Sequence, residues 1–194
     1  MENTTICAIA TAPEGALGII RVSGPKAIKI TEHIFDRPLI NRPANSIVFG
    51  RIIDNDSILD EVLVSIFHAP HSYSGENATE ISCHGSKYIL QRCIELLIQA
   101  GCVMAEPGEF TKRAFLNGKM DLSQAEAVAD LIASSTQATH HLAMSQMRGN
   151  YSIALKKLRD KLLHLTSLLE LELDFSDHED LEFADRTELT KIAT

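Results

Sequence analysis

The chain has 194 residues, enough for one large domain or two small ones, and 45% of them are hydrophobic, an ordinary share for a globular protein. Its formal net charge of −8 argues against a generally basic nucleic-acid binder, though not against a local basic site. No apolar run is long enough to span a bilayer, and the start Met-Glu-Asn-Thr-Thr lacks the basic and apolar regions of a signal peptide.

Residues 5–11 and 18–23 are β-branched runs separated by the turn-forming Ala12-Pro13-Glu14-Gly15. A helix is expected to start at Ser23-Gly24-Pro25, with Ser23 or Gly24 as cap and Ala27, Ile28, Ile34 and Phe35 facing the core. Residues 46–53 and 58–68 read as two strands of a hairpin around Asp54-Asn55-Asp56-Ser57, and 78–83 as a further strand. The spacing of Ile89, Leu90, Cys93, Leu96 and Leu97 predicts a helix over 86–100, ended by Gly101. A short strand at 102–105 and a short helix at 109–117 complete this half.

After Gly118 the pattern changes to long helices. Ser123-Gln-Ala-Glu126 matches a capping box and predicts a helix running to about Arg148, with Gly149 as break or C-cap. The next helix, from Ser152 to about Leu173, carries Leu155, Leu158, Leu162, Leu165 and Leu169 at steps of three and four. Leu163, Leu168 and Leu171 widen that seam, so the helix needs partners on more than one side. Phe175-Ser176-Asp177 is expected to end it. Charge is uneven along the chain: from Glu170 onward nine acids face only Arg186 and Lys191, a net −7, while the first 169 residues carry 17 acids and 16 bases.

Several chemistries find little support. Neither GxxxxGK[ST] nor GxGxxG occurs, so no nucleotide binding by the usual loops is expected. Cys7, Cys83, Cys93 and Cys102 show no CxxC spacing and are expected as reduced thiols of a cytoplasmic protein. His68-Ala-Pro-His71 with Cys83-His84 does not match a strong zinc pattern and reads as a loop histidine pair and a buried strand cysteine. Cys83 and His84 are strand neighbours, so they point to opposite faces and do not form a nucleophile–base pair. The cluster Lys156, Lys157, Arg159 and Lys161 reads as a solvated helix surface, the alternative being an RNA phosphate contact.

The run from Pro107 to Ile132, PGEFTKRAFLNGKMDLSQAEAVADLI, resembles the signature of the bacterial tRNA-modifying GTPases called MnmE or TrmE. Residues 5–13 with Gly18-Ile-Ile-Arg-Val-Ser-Gly24 resemble that family's opening motif, and Ser72–Gly85 its central one. Leu169–Asp177 resembles a helix of the family ending in an aspartate-phenylalanine turn. The resemblance covers essentially the whole chain. It implies an α+β organisation: a mixed α/β folate-binding domain of aminomethyltransferase type at 1–118, then the long helices of an incomplete helical domain at 119–194. The GTPase domain, which in the family uses GTP, magnesium and potassium, is expected to lie outside this sequence, so the chain alone is expected not to hydrolyse GTP.

The resemblance further implies a homodimer formed by the N-terminal domain and a partnership with the flavoprotein MnmG. Together these modify the wobble uridine of certain tRNAs to the carboxymethylaminomethyl type, with no membrane involved. The one-carbon donor is 5-formyl- or 5,10-methylene-tetrahydrofolate, and the family's folate-contacting positions correspond to Arg21, Glu80 and Lys119. The residue types suit that ligand. A carboxylate accepts a paired set of pterin N–H donors, while the cations suit carbonyl, formyl or glutamate-tail oxygens. Arg21 also stands in an otherwise apolar strand between Gly18 and Gly24, where a ligand could approach the backbone. Each of the three charges could instead belong to the surface or to an intramolecular ion pair. The competing functions are a ligand-free structural dimerisation module and a stand-alone folate-dependent aminomethyltransferase-like enzyme.

Overall fold

The computed structural model describes residues 4–12 and 15–174. Pro13 and Glu14 of the expected turn Ala12-Pro13-Glu14-Gly15, the helix end at Phe175-Ser176-Asp177 and most of the acidic segment lie outside the described residues. The chain divides into two compact units, Met1–Asp121 and Leu122–Thr194. The first is a mixed sheet with helices and the second is helical, an α+β organisation.

The first unit runs β1 (Ile6–Ile9), β2 (Leu17–Ser23), α1 (Ala27–His33), β3 (Ser46–Asp54), β4 (Ser57–Phe67), β5 (Ala78–His84), α2 (Lys87–Gln99), β6 (Val103–Met104) and α3 (Glu109–Leu116). Its six strands lie in the order β3-β4-β5-β2-β1-β6, antiparallel except for the β1–β6 pair. The period-two alternation of the strands decides which side chains are buried. Ile20 and Val22 of β2, Val62, Val64 and Ile66 of β4, and Ile81 and Cys83 of β5 are almost fully buried. They pack with Ile28 and Ile30 of α1 and Leu90, Cys93 and Leu97 of α2 in one core. The intervening residues of β2, β4 and β5 face the other way. Arg21, Leu63 and Glu80 therefore stand on the face turned from α1 and α2. That face leaves Ile47, Phe49 and Leu63 exposed.

Ala27, Ile28, Ile34 and Phe35 are buried as their spacing predicts. The start of α1 differs, because its N-cap is Lys26, without a side-chain cap bond. Ser23 is unavailable for capping: its hydroxyl bonds Ser74 Oγ at 2.6 Å and donates to Glu76 Oε2 at 2.8 Å.

The second unit contains α4 (Leu122–Ala133), α5 (Gln137–Met147) and α6 (Asn150–Asp174). The single helix expected from Ser123 to about Arg148 is two helices. Three hydroxyl residues, Ser134-Ser135-Thr136, cause the break, because such side chains offer the backbone local partners that compete with the helix. Ser134 Oγ donates to Leu131 O at 2.7 Å, and Thr136 and Thr139 form a capping box that starts α5. The start expected at a Ser123–Glu126 box differs, since α4 already begins at Leu122, ahead of Ser123. The two helices pair antiparallel: Gln124 Nε2 donates to Met147 O at 2.8 Å, and Gln146 Nε2 to Ser123 O at 3.3 Å. Along α6, Leu155, Leu158, Leu162, Leu163 and Leu169 are exposed, as are all four cations of the basic cluster.

Candidate functional site

Strand register brings Arg21 and Glu80 face to face across β2 and β5. Arg21 Nε donates to Glu80 Oε1 at 2.8 Å, and its Nη2 lies at the same distance from the same oxygen. Among the described residues, Glu80 Oε2 and Arg21 Nη1 have no hydrogen-bond partner. Each side chain is 27% exposed, so the pair borders solvent with acceptor and donor capacity left over.

Two aromatic rings frame the guanidinium. Its carbon lies 5.0 Å from the Tyr73 ring centroid and 5.5 Å from that of Phe110, within cation–π range. Tyr73 comes from the loop before β5 and Phe110 from the first turn of α3. The Tyr73 hydroxyl and Thr111 Oγ1, 2.9 Å apart, tie that loop to the helix.

Lys119 holds the same loop from another point. Its Nζ donates to Pro70 O at 3.1 Å, and Asn117 Nδ2 donates to Ser74 O at 2.8 Å. The approach is close at Gly75, φ +79, where a Cβ would lie 3.0 Å from Asn117 Cβ and 3.2 Å from Lys119 Cγ. Of the three residues singled out by sequence, Arg21 and Glu80 are therefore in direct contact. Lys119 bonds the loop that carries Tyr73 rather than either of them.

Beneath the loop lies a charged cluster built on Arg113, whose side chain is only 9% exposed. Its Nη1 donates to Thr4 O at 2.8 Å and to Glu76 Oε1 at 3.2 Å, and its Nη2 donates to Glu109 Oε1 at 2.8 Å. Burial raises the Glu109 carboxyl's pKa. The backbone N–H of Glu106 and the Arg113 guanidinium together outweigh that and hold it below its ordinary value of 4.5. Sequence reasoning did not single out Tyr73, Glu76, Phe110 or Arg113. All four lie inside the quoted motifs, and the contacts that join them, Arg21 to Tyr73 and Phe110 and Arg113 to Glu76 and Thr4, span distant parts of the sequence.

The two glycines flanking Arg21 do not open the backbone to a ligand. The space above Gly18 is filled by the Leu90 side chain, and that above Gly24 by Thr4 and Thr5. A cleft of about 690 Å³ borders α2 on the opposite side of the sheet, lined by Ile9, Leu90, Ile94 and Met104 among others. It contains none of the three predicted residues. Cys83 is buried while the His84 side chain is 68% exposed and bonded to Asp60 Oδ1 at 2.7 Å, so the two neighbours do point apart.

All four cysteines are free and buried. Burial raises the Cys83 thiol to about 11, with the Asp60 charge adding to it, and the Cys93 thiol to about 12. Iodoacetamide at pH 8 is therefore expected to leave Cys83 and Cys93 unmodified in the native protein and to alkylate both in urea. Rapid native labelling of either, read by mass spectrometry, would contradict this burial.

Comparison with known proteins gives the chain its relatives. Residues 5–119 match the family model described as GTP-binding protein TrmE N-terminus, and residues 122–194 match the MnmE helical domain. The tRNA modification GTPase MnmE of Bacteroides thetaiotaomicron is 63% identical over 198 residues, covering 100% of this chain and 42% of the relative. The protein of the same description from Bacteroides fragilis is 62% identical with the same coverage. That of Flavobacterium johnsoniae is 53% identical over 99% of this chain and 42% of its own length. The chain thus spans less than half the length of these curated relatives. By the matches to both family models and by these identities, it belongs to the MnmE (TrmE) family of tRNA modification GTPases.

Proposed function

We propose that the first unit binds a tetrahydrofolate one-carbon donor through Arg21, Glu80 and Lys119 and forms a homodimer. It would do so as the N-terminal part of a GTPase that acts with the flavoprotein MnmG on the wobble uridine of certain tRNAs. The observation carrying this reading is the half-used Arg21–Glu80 pair. Glu80 Oε2 can accept ring N–H donors and Arg21 Nη1 can donate to a ring carbonyl, so one flat, polar-edged heterocycle satisfies both. The exposed amine-bearing chain of Lys119 is a second cation for the carboxylate end of such a ligand. GTP, magnesium and potassium belong, on this reading, to sequence outside this chain.

Calorimetric titration with 5-formyltetrahydrofolate tests it directly. Arg21→Ala and Glu80→Ala are each expected to weaken binding by about 1–3 kcal/mol, the cost of leaving a charged hydrogen-bonding partner unmatched. No binding to the wild-type chain at high micromolar ligand would sink the proposal, and unchanged affinity in both variants would remove these residues from it. A second reading, a dimerisation module that takes no ligand, is favoured by the exposed Ile47, Phe49 and Leu63 on the open sheet face. Light scattering with and without folate, read beside the titration, separates the two, because a pure assembly module dimerises and ignores folate.

A further inference from the structure

We infer that Tyr73 and Phe110 are the specificity-determining residues of this site, selecting a planar nitrogen heterocycle over other anionic or polar ligands. The inference rests on the folate reading and deepens it. Four features of the structure carry it.

The Arg21 guanidinium lies 5.0 and 5.5 Å from the two ring centroids, and the rings restrict how its plane can tilt. Nη1, the donor left over for a ligand, belongs to a guanidinium already held by Glu80 and flanked by both rings. The carboxylate beside it spends only Oε1 on Arg21, so Oε2 offers an acceptor in the same corner. On this inference a ligand that reaches both atoms lies beside the rings that flank the guanidinium. A flat ring with N–H and carbonyl groups on one edge does this while burying its faces, whereas phosphate or a simple carboxylate cannot.

The rings are also held in place, which a chance surface pair of aromatics would not be. Tyr73 is fastened by its hydroxyl to Thr111, the residue next to Phe110. The loop behind Tyr73 is fixed by Asn117 to Ser74 O, by Ser23 to Ser74 and by Glu76 to Arg113. Both walls therefore stand before any ligand arrives, and little ordering is left for binding to oppose.

The test uses three probes on the 194-residue chain: 5-formyltetrahydrofolate, hydroxymethylpterin as the ring alone, and p-aminobenzoylglutamate as the tail alone. Tyr73→Leu and Phe110→Leu are each expected to weaken both ring-bearing probes about tenfold, as loss of one stacking wall does elsewhere. Tyr73→Phe keeps the wall and is expected to stay within about twofold of wild type on the same grounds. Affinity for the tail alone, and the urea midpoint of each variant, should not move with the ring affinity. Stacking also predicts quenching of the pterin's own fluorescence in wild type and Tyr73→Phe, and its loss in the leucine variants.

Wild-type ring affinity in both leucine variants, or an equal loss in Tyr73→Phe and Tyr73→Leu, overturns the inference while leaving the folate reading intact. A wild-type chain that binds hydroxymethylpterin but not the folate overturns the folate reading alone. A chain that binds neither overturns both.

Discussion

Replacing Arg113 with methionine is expected to destabilise the first unit by about 3–5 kcal/mol, the cost of removing one partner from a buried charge cluster. The guanidinium is 9% exposed and serves Glu76 and Glu109, whose side chains are 20% and 12% exposed. Methionine fills much of the volume but leaves two carboxylates and Thr4 O without their shared donor. Glu76 keeps Ser23 Oγ and Glu109 keeps the Glu106 N–H, which places the effect nearer the lower end. Domains of this size are stable by only about 5–15 kcal/mol, so the change is a large part of the whole.

The exposed pair Arg51–Glu61, 48% and 53% exposed, supplies the contrast. Arg51→Ala there is expected to cost about 1 kcal/mol or less. Urea unfolding of both variants measures the difference. An Arg113→Met loss no greater than that of Arg51→Ala would mean the cluster is solvated rather than structural.

The same cluster has a pH signature of known sign. The native Glu109 carboxyl lies below its ordinary 4.5, so its contribution is fully present above that value and fades as pH falls through the lower native one. Without Arg113 one cause of the depression is gone, and that part of the acid sensitivity should diminish.

These long-range ties explain what the sequence could and could not reveal. Alternation along β2 and β5 put Ile20, Val22, Ile81 and Cys83 in the core and turned Arg21 and Glu80 outward, all of which is local information. That the two charges meet depends on a register joining positions 59 residues apart. Their selection came from motif resemblance and not from periodicity. Nothing near Arg113 in sequence announces Thr4, 109 residues away, or Glu76, 37 away. Tyr73 and Phe110 were equally silent, because an aromatic at a loop or helix start has no periodic signature.

The misplaced elements have local causes. The helix expected from the sequence runs on through Ser134–Thr136, but the Ser134 and Thr136 hydroxyls there bond local backbone groups and a new capped helix starts. Ser23 has the chemistry of an N-cap, yet its hydroxyl is engaged by Ser74 and Glu76. In both cases side-chain hydrogen bonds, invisible to a hydrophobic pattern, decide where the helix starts or stops.

Gly24→Ala is expected to cost about 3–5 kcal/mol, combining backbone strain with a clash in a packed region. Gly24 has φ +136, a conformation that an L side chain rarely adopts. A methyl group there would lie 2.7 Å from Thr5 Cα and 2.9 Å from Thr4 O. Both are backbone atoms of the segment leading into β1, so no side chain can rotate out of the way. Moving that segment is costly as well, because Thr4 O accepts from Arg113 and Thr5 Oγ1 accepts from the Lys26 N–H. Gly101→Ala isolates the backbone component. Gly101 also has positive φ, at +108, but its added methyl would meet only Ile30 Cδ1, at 4.0 Å. That variant should lose only the strain, about 1–3 kcal/mol. Equal losses at the two sites, read from urea midpoints, would show that Thr4–Thr5 yields freely. A larger loss at Gly24, with faster amide exchange in β1, would show instead that the segment is pinned against Arg113, and with it the floor on which the Tyr73 loop rests.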